Sequence, residues 1–127
     1  MISGSFAEIA KIGLLIKELS SRGHIVFPTE EHFRKSPMVQ HHRDGHVLTE
    51  QELKQCWERM QDYFRAIDDC NVLIIFNEKR GEEHYGTGAM IELGYALARG
   101  KQVWLYRQPT DENIRAMDLS MLRFDLI

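Results

Sequence analysis

The stretch NVLIIFNEKRGEEHYGTGAMIELGYALARGKQVWLY, residues 71–106, decides the fold of this chain. It begins with an uninterrupted apolar run, residues 72–76, of the kind found in strands buried on both faces of a sheet. A charged loop follows over residues 77–84. Next come a glycine-rich turn, Tyr85-Gly86-Thr87-Gly88, and a helical segment from Thr87 to Arg99 that Gly100 stops. A second apolar run, residues 103–106, completes a strand-helix-strand unit, and such units build parallel sheets.

The rest of the chain extends this pattern in both directions. Residues 1–3 read as a very short first strand, Ser3-Gly4-Ser5 as a turn, and the residues up to about Arg22 as a helix. Ser5 and Glu8 form an S-x-x-E capping box, Ile9, Ile12, Ile16 and Leu19 repeat at helical spacing, and Gly23 supplies the stop. Residues 24–27 read as a second strand ended by Pro28. Residues 29–47 are polar, contain Pro37, Gly45 and four histidines, and follow no period, so they read as a long loop of the kind that serves as a lid or is partly disordered. Thr49 and Glu52 make a second capping box, and Leu53, Cys56, Trp57, Met60, Phe64 and Ile67 trace one face of a helix through about Asp69. Beyond residue 106, residues 111–118 suit a short helix and residues 122–127 a last edge strand.

The expectation is one α/β domain over residues 1–127: three layers around a five-stranded, mainly parallel sheet of Rossmann-like, flavodoxin-like type, in the order 2-1-3-4-5. In that order the first and third strands are neighbours whose connections leave to opposite sides, and ligands bind beyond their carboxyl ends. The turns Ser3-Gly4-Ser5 and Tyr85-Gly86-Thr87-Gly88 meet there. Both open helices, so both offer unpaired N–H groups to an anion.

Composition narrows the function. Hydrophobic residues at 43% and charged residues at 28% exclude the collagenous, disordered and membrane classes. A net charge of -3 and a pI near 6.1 argue against binding a nucleic-acid polymer and for small molecules or proteins as partners. The two cysteines, Cys56 and Cys70, show neither CxxC spacing nor a disulfide framework, which suits a reducing compartment. No apolar stretch approaches the roughly 20 residues that span a bilayer, and no basic start leads into an apolar run, so the expected location is the cytoplasm, away from membranes.

Glu92 stands out. On a helix starting near Thr87 it shares a face with Gly88, Ala89, Tyr95, Ala96 and Arg99, while Met90, Leu93, Gly94 and Leu97 are expected inward. A plain solvent face carries Lys, Gln and Glu, not a floor of glycine and alanine. Small residues around one carboxylate leave room for a ligand.

The segment GTGAMIELGYALARGKQVWLY resembles the G-x-x-x-E-[IL]-G-Y-A-x-x-x-G-K-x-V stretch of the nucleoside 2-deoxyribosyltransferase superfamily, which includes the nucleoside 5'-monophosphate N-glycosidases. The similarity is close over residues 86–105, and the order of elements fits over nearly the whole chain. The resemblance implies that Glu92 attacks the anomeric carbon of a nucleoside or nucleotide sugar and forms a glycosyl-enzyme intermediate, without a cofactor. It also implies a sugar-phosphate pocket bordered by Ser3, Gly4, Ser5, Gly86, Thr87 and Gly88. The hydroxyl of Ser5 has a simpler role open to it, as the helix cap.

Family members carry an aspartate on the helix before the third strand that helps protonate the leaving base. An ungapped match puts Tyr63 at that position, with Asp62 beside it on a charged face with Glu58, Arg59 and Arg65. The transferases also place a tyrosine in the first strand, where this chain has Met1 and Ile2. Asn77, ending the third strand, is placed to hydrogen-bond a sugar or base but cannot serve as a general acid. In relatives the loop corresponding to residues 29–47 covers the base, which makes His42, Arg43 and His46 lid candidates. The cluster HHRDGH, with Gly45 inside it and no cysteine nearby, reads as a lid and not as a metal site. Relatives complete each site with a neighbouring subunit, so a homodimer or dimer of dimers is implied.

Two other functions compete. The lysine-decarboxylase-like phosphoribohydrolases also place a glutamate behind a G-T turn, but at plus three and after P-G-G, whereas here it stands at plus five without P-G-G. A nucleotide-binding sensor or interaction module that lacks efficient chemistry fits the missing aspartate and tyrosine.

Overall fold

A computed structural model of the chain describes residues 1–126. Its centre is a four-stranded, all-parallel sheet: β1 (Ile2–Gly4), β2 (Val72–Phe76), β5 (Gln102–Leu105) and β6 (Ser120–Met121), in the order β1-β2-β5-β6. Ile2 lies opposite Ile74, Ile74 opposite Trp104, and Trp104 opposite Ser120. Two further strands, β3 (Glu78–Lys79) and β4 (Glu82–Glu83), pair antiparallel as a separate hairpin. Six α-helices stand among the described residues: α1 (Ile9–Ser21), α2 (Glu30–Arg34), α3 (Pro37–Asp44), α4 (Glu50–Asp69), α5 (Thr87–Ala98) and α6 (Glu112–Arg115).

Alternation along β2 divides the core. Leu73 and Ile75 point to one face, where Tyr63 and Ile67 of α4, Leu93 and Ala96 of α5, and Val103 and Leu105 of β5 bury with them. Ile74 and Phe76 point to the other, against Ile12, Leu15, Ile16 and Leu19 of α1 and Phe33 of α2. Both faces of the sheet are therefore dry, which is why β2 is a continuous apolar run.

The five-stranded order 2-1-3-4-5 is corrected to four strands. Residues 24–27 run beside β1, but they share with it one hydrogen bond, from Ile2 N to Phe27 O at 2.8 Å. Ile25 is fully exposed, so this segment buries too little to earn a place in the ladder. The expected last strand at residues 122–127 is also displaced: the pairing falls on Ser120–Met121, and Phe124–Leu126 forms a 3-10 turn, with Ile127 outside the described residues. The charged loop at residues 77–84 is the β3–β4 hairpin, whose tip puts Arg80 at φ 53 beside Gly81.

The long loop of residues 29–47 contains two helices. Thr29 Oγ1 accepts from His32 N to open α2, and Ser36 Oγ accepts from Met38 N to open α3, with Pro37 at its first position. Gly45, at φ 75, closes α3 in the left-handed conformation. The box at Thr49 and Glu52 forms in full. The box at Ser5 and Glu8 does not: Ser5 Oγ accepts from Ala7 N and opens a 3-10 turn, Phe6–Glu8, while Glu8 Oε1 accepts from Arg80 N at 2.6 Å. The hairpin has taken the carboxylate that the box would have used.

Candidate functional site

Glu92 occupies the second turn of α5, whose sequence dictates an open N-terminus and a closed C-terminus. Gly86 caps the start with no side-chain hydrogen bond, leaving the first-turn N–H groups without a side-chain partner. Gly100, at φ 71, ends the helix as its N–H donates to Leu97 O and that of Lys101 to Ala96 O, a Schellman pair. The buried stripe of α5 is Ala89, Glu92, Leu93 and Ala96, so the glutamate lies on the inward side, whereas Ile91 and Leu97 are exposed. The inward face is thus turned from the one expected, because α5 packs on β1, β2 and β5 and on α4 at once.

The Glu92 side chain borders a cavity of about 530 Å³. From one side the wall is built by Gly4, Ser5 and Phe6, the exit of β1, and from the other by Gly86, Thr87, Gly88 and Ala89, the start of α5. Met38, His41 and His42 of α3, Cys56, Arg59, Met60 and Tyr63 of α4, and Lys79 and His84 of the hairpin complete it. A second depression, of about 570 Å³, lies at the opposite ends of the strands, bordered by Met1, Leu19, Val72 and residues 24–27. Glu92 has no part in it.

Glycines make the Glu92 cavity possible in two different ways. A Cβ on Gly4 would come within 2.9 Å of Ile12 Cδ1 and of Phe76 Cβ, so that glycine permits packing. A Cβ on Gly88 would meet nothing within 4 Å, so that glycine leaves space.

Glu92 is 6% exposed, and burial pushes its carboxyl up to about 7, with the nearby Ser3 hydroxyl pulling the other way. Near neutral pH such a group is divided between acid and carboxylate. Tyr63 is 8% exposed, and its hydroxyl is the buried side-chain polar atom without a hydrogen-bond partner among the described residues. Burial, together with the charge of Glu92, pushes its phenol upward. Tyr63 sits edge-on to Phe27, at 5.4 Å between ring centroids, and to His32, at 5.9 Å.

The mouth holds Lys79 and three histidines. Burial holds the His42 imidazole below its usual range, and Lys79, His41 and His84 push it the same way; burial and then Lys79 do likewise to His84. His84 Nε2 stands 3.7 Å from where a Cβ of Gly86 would be, which places it at the opening of α5. The hairpin carrying Lys79 and His84 is braced from several sides. Lys11 Nζ and Arg107 Nη1 reach Glu78, at 2.7 and 3.3 Å. Glu83 accepts from the Thr110 hydroxyl and N–H and from Tyr85 Oη, which holds its carboxyl down at about 2. On the α3 side, Phe33 stacks on Phe6 at 4.6 Å and Phe6 faces His42 at 6.3 Å, so α3 rests on an aromatic column.

The expected site residues divide. Glu92, Tyr63, Gly4, Ser5, Gly86, Thr87, Gly88 and His42 meet in the cavity wall, and Ser3 stands behind Glu92. Asp62 is turned outward, 2.6 Å from Arg65 Nη1. Asn77 is fully buried as a structural brace: its Nδ2 donates to Tyr85 Oη and Arg107 O, and its Oδ1 accepts from Arg107 N. Arg43 lies near Asp44 on the surface, and His46 Nε2 pairs with Glu52 at 2.9 Å. The sequence reading missed Arg59, Lys79 and His84, although the position of His84 two residues before the Gly86 opening was a usable signal.

No group of three or more His, Cys, Asp or Glu among the described residues is placed to hold a metal ion. None of the described helices is long and apolar enough to cross a membrane. Set against known proteins, the chain matches no family model, no curated protein and no solved structure.

Proposed function

We propose that the chain cleaves the N-glycosidic bond of a nucleoside 5'-monophosphate or nucleoside, with Glu92 as nucleophile, as the resemblance to the nucleoside 2-deoxyribosyltransferase superfamily implies. The buried Glu92 carboxyl, in a cavity between two helix-opening turns, carries the proposal. A glycosidic bond to nitrogen breaks through an oxocarbenium-like state, which a positioned carboxylate stabilises or captures, and water or a second base then takes the sugar. Lys79, His41, His42 and His84, with the start of α5, make the cavity mouth suit a phosphate, so the 5'-monophosphate is the favoured form. Glu92→Ala is expected to lower base release by at least a thousandfold while the circular dichroism spectrum stays native; equal release by the variant would refute the role.

A kinship to that superfamily would bring its Rossmann-like arrangement, a cytoplasmic location and a homodimer or dimer of dimers. Exposed Leu53 and Trp57 on α4 and Ile91 on α5 support the association. A second reading, a nucleotide-binding module without turnover, is favoured by the outward pairing of Asp62 with Arg65, which leaves the cavity without a second carboxylate. Nucleotide binding without base release is its signature.

A further inference from the structure

We infer that Arg59 selects the base of the substrate, favouring one that presents two adjacent hydrogen-bond acceptors: O6 and N7 of a 6-oxopurine, or O2 and N3 of cytosine. The inference rests on the N-glycosidase reading above and names the substrate class of that same cavity. Helix α4 lends the cavity wall Cys56, Arg59, Met60 and Tyr63, which share one helical face, and Arg59 is the charged side chain among them. It is half-buried and forms no salt bridge among the described residues. Asp62, the next acid along α4, is taken by Arg65. Arg59 Nη1 donates to His32 O at 2.8 Å and stands 3.4 Å from His32 Nδ1, which ties the guanidinium to α2. Nε and Nη2 have no partner among the described residues, and together they form the planar edge with which an arginine grips two acceptors at once.

The cavity therefore has two positive centres, Lys79 and Arg59, and they act on different parts of its wall. Beyond burial, Lys79 is the first charge that lowers His42 and His84, at the opening of α5. Arg59 acts instead on His32, Cys56 and Tyr63, in each case after burial, and on Tyr63 also after the charge of Glu92. A nucleotide with its phosphate near Lys79 and the start of α5, and its anomeric carbon at Glu92, brings its base toward the α4 wall. Arg59 is the charged group there. A guanidinium donates hydrogen bonds and accepts none. It suits hypoxanthine or guanine, with O6 beside N7, and opposes adenine, whose amino group stands beside N7 and turns donor against donor. By the same rule it suits cytosine, with O2 beside N3, and opposes thymine, whose N3 carries hydrogen.

The test measures binding by calorimetry, and base release beside it, for two pairs of ligands in native protein and Arg59→Lys. One pair is deoxyinosine and deoxyadenosine 5'-monophosphate; the other is deoxycytidine and thymidine 5'-monophosphate. Lysine keeps the charge and a donor for His32 O but loses the planar fork, so a bracing role alone would leave the preference unmoved. Native protein is expected to bind the first member of one pair at least about tenfold more tightly than the second, and Arg59→Lys to hold the two within about threefold. Which pair shows the preference separates the 6-oxopurine from cytosine. Preference in neither pair, or a preference that Arg59→Lys retains, would overturn the inference. Where Arg59→Lys does not fold, native protein decides alone. Replacing one acceptor of the preferred base by CH, as in its 7-deaza purine or 3-deaza cytosine analogue, is expected to weaken binding about tenfold, and unchanged binding would overturn the inference. Absence of base release from all four ligands sinks the N-glycosidase reading, while the binding preference, which needs no turnover, still decides about Arg59; no binding of any ligand overturns both.

Discussion

Glu92 is costly to the fold when ionised, and this gives it a signature independent of any substrate. Its carboxyl is raised from an ordinary 4.5 to about 7 by burial, so the folded state holds the proton more tightly than the unfolded one. The stability this provides is fully present below about pH 4.5 and is lost as pH rises through about 7. Glu92→Gln, neutral at every pH, is expected to equal the native protein at low pH and to exceed it at pH 8 by an amount on the order of 3 kcal/mol, read by urea unfolding at both pH values. Parallel curves would mean that Glu92 is not desolvated. In the proposed reaction the ionised form of Glu92 attacks, so kcat/KM for base release is expected to rise with pH along a limb centred near 7. That this residue departs from a plain solvent-facing glutamate was legible because glycine and alanine flank it where a solvated glutamate has charged neighbours. Its inward orientation was not, because a helix packed on a sheet and on a second helix has more than one buried direction. Gly4 and Gly88 look alike in sequence and differ in space: Gly4→Ala is expected to lower Tm, through contact with Ile12 and Phe76, whereas Gly88→Ala is expected to keep Tm and weaken nucleotide binding.

At the scale of elements, the strand-helix-strand unit of residues 71–106 was readable because long apolar or periodic segments dominate it, and α1 and α4 were readable for the same reason. α2 and α3 were not, because they are short and mostly polar, with Phe33, Met38 and Val39 too few to set a period, and their formation rests on caps at Thr29 and Ser36. The segment at residues 24–27 erred the other way: its apolar residues suggested a strand that tertiary packing does not complete. The hairpin escaped notice because its role comes from bracing by distant Lys11, Arg107 and Thr110. If that bracing serves to aim Lys79 at a phosphate, Lys79→Ala is expected to weaken binding of a nucleoside 5'-monophosphate about tenfold, the size of one charge-assisted contact, and to leave binding of the free nucleoside unchanged. Calorimetry on both ligands reads the difference; equal losses would place the phosphate elsewhere.

For the whole molecule, a parallel sheet covered on both faces leaves its cavity beyond the carboxyl ends of β1 and β2, where two turns, α3 and the hairpin border one carboxylate. The apolar residues left outside this core mark a second surface. Leu53 and Trp57 on α4 stand more than half exposed, and Trp57→Lys is expected to convert an assembled protein to monomer in light scattering, whereas a native monomer would remove the case for a homodimer. The most direct measurement is incubation of the purified protein with nucleosides and 5'-monophosphates, ribo and deoxy, following free base by liquid chromatography beside Glu92→Ala. The account predicts base release by the native protein, faster from the 5'-monophosphates, and none above background from the variant. Absence of release from every substrate by a folded protein, or equal release by the variant, would contradict it.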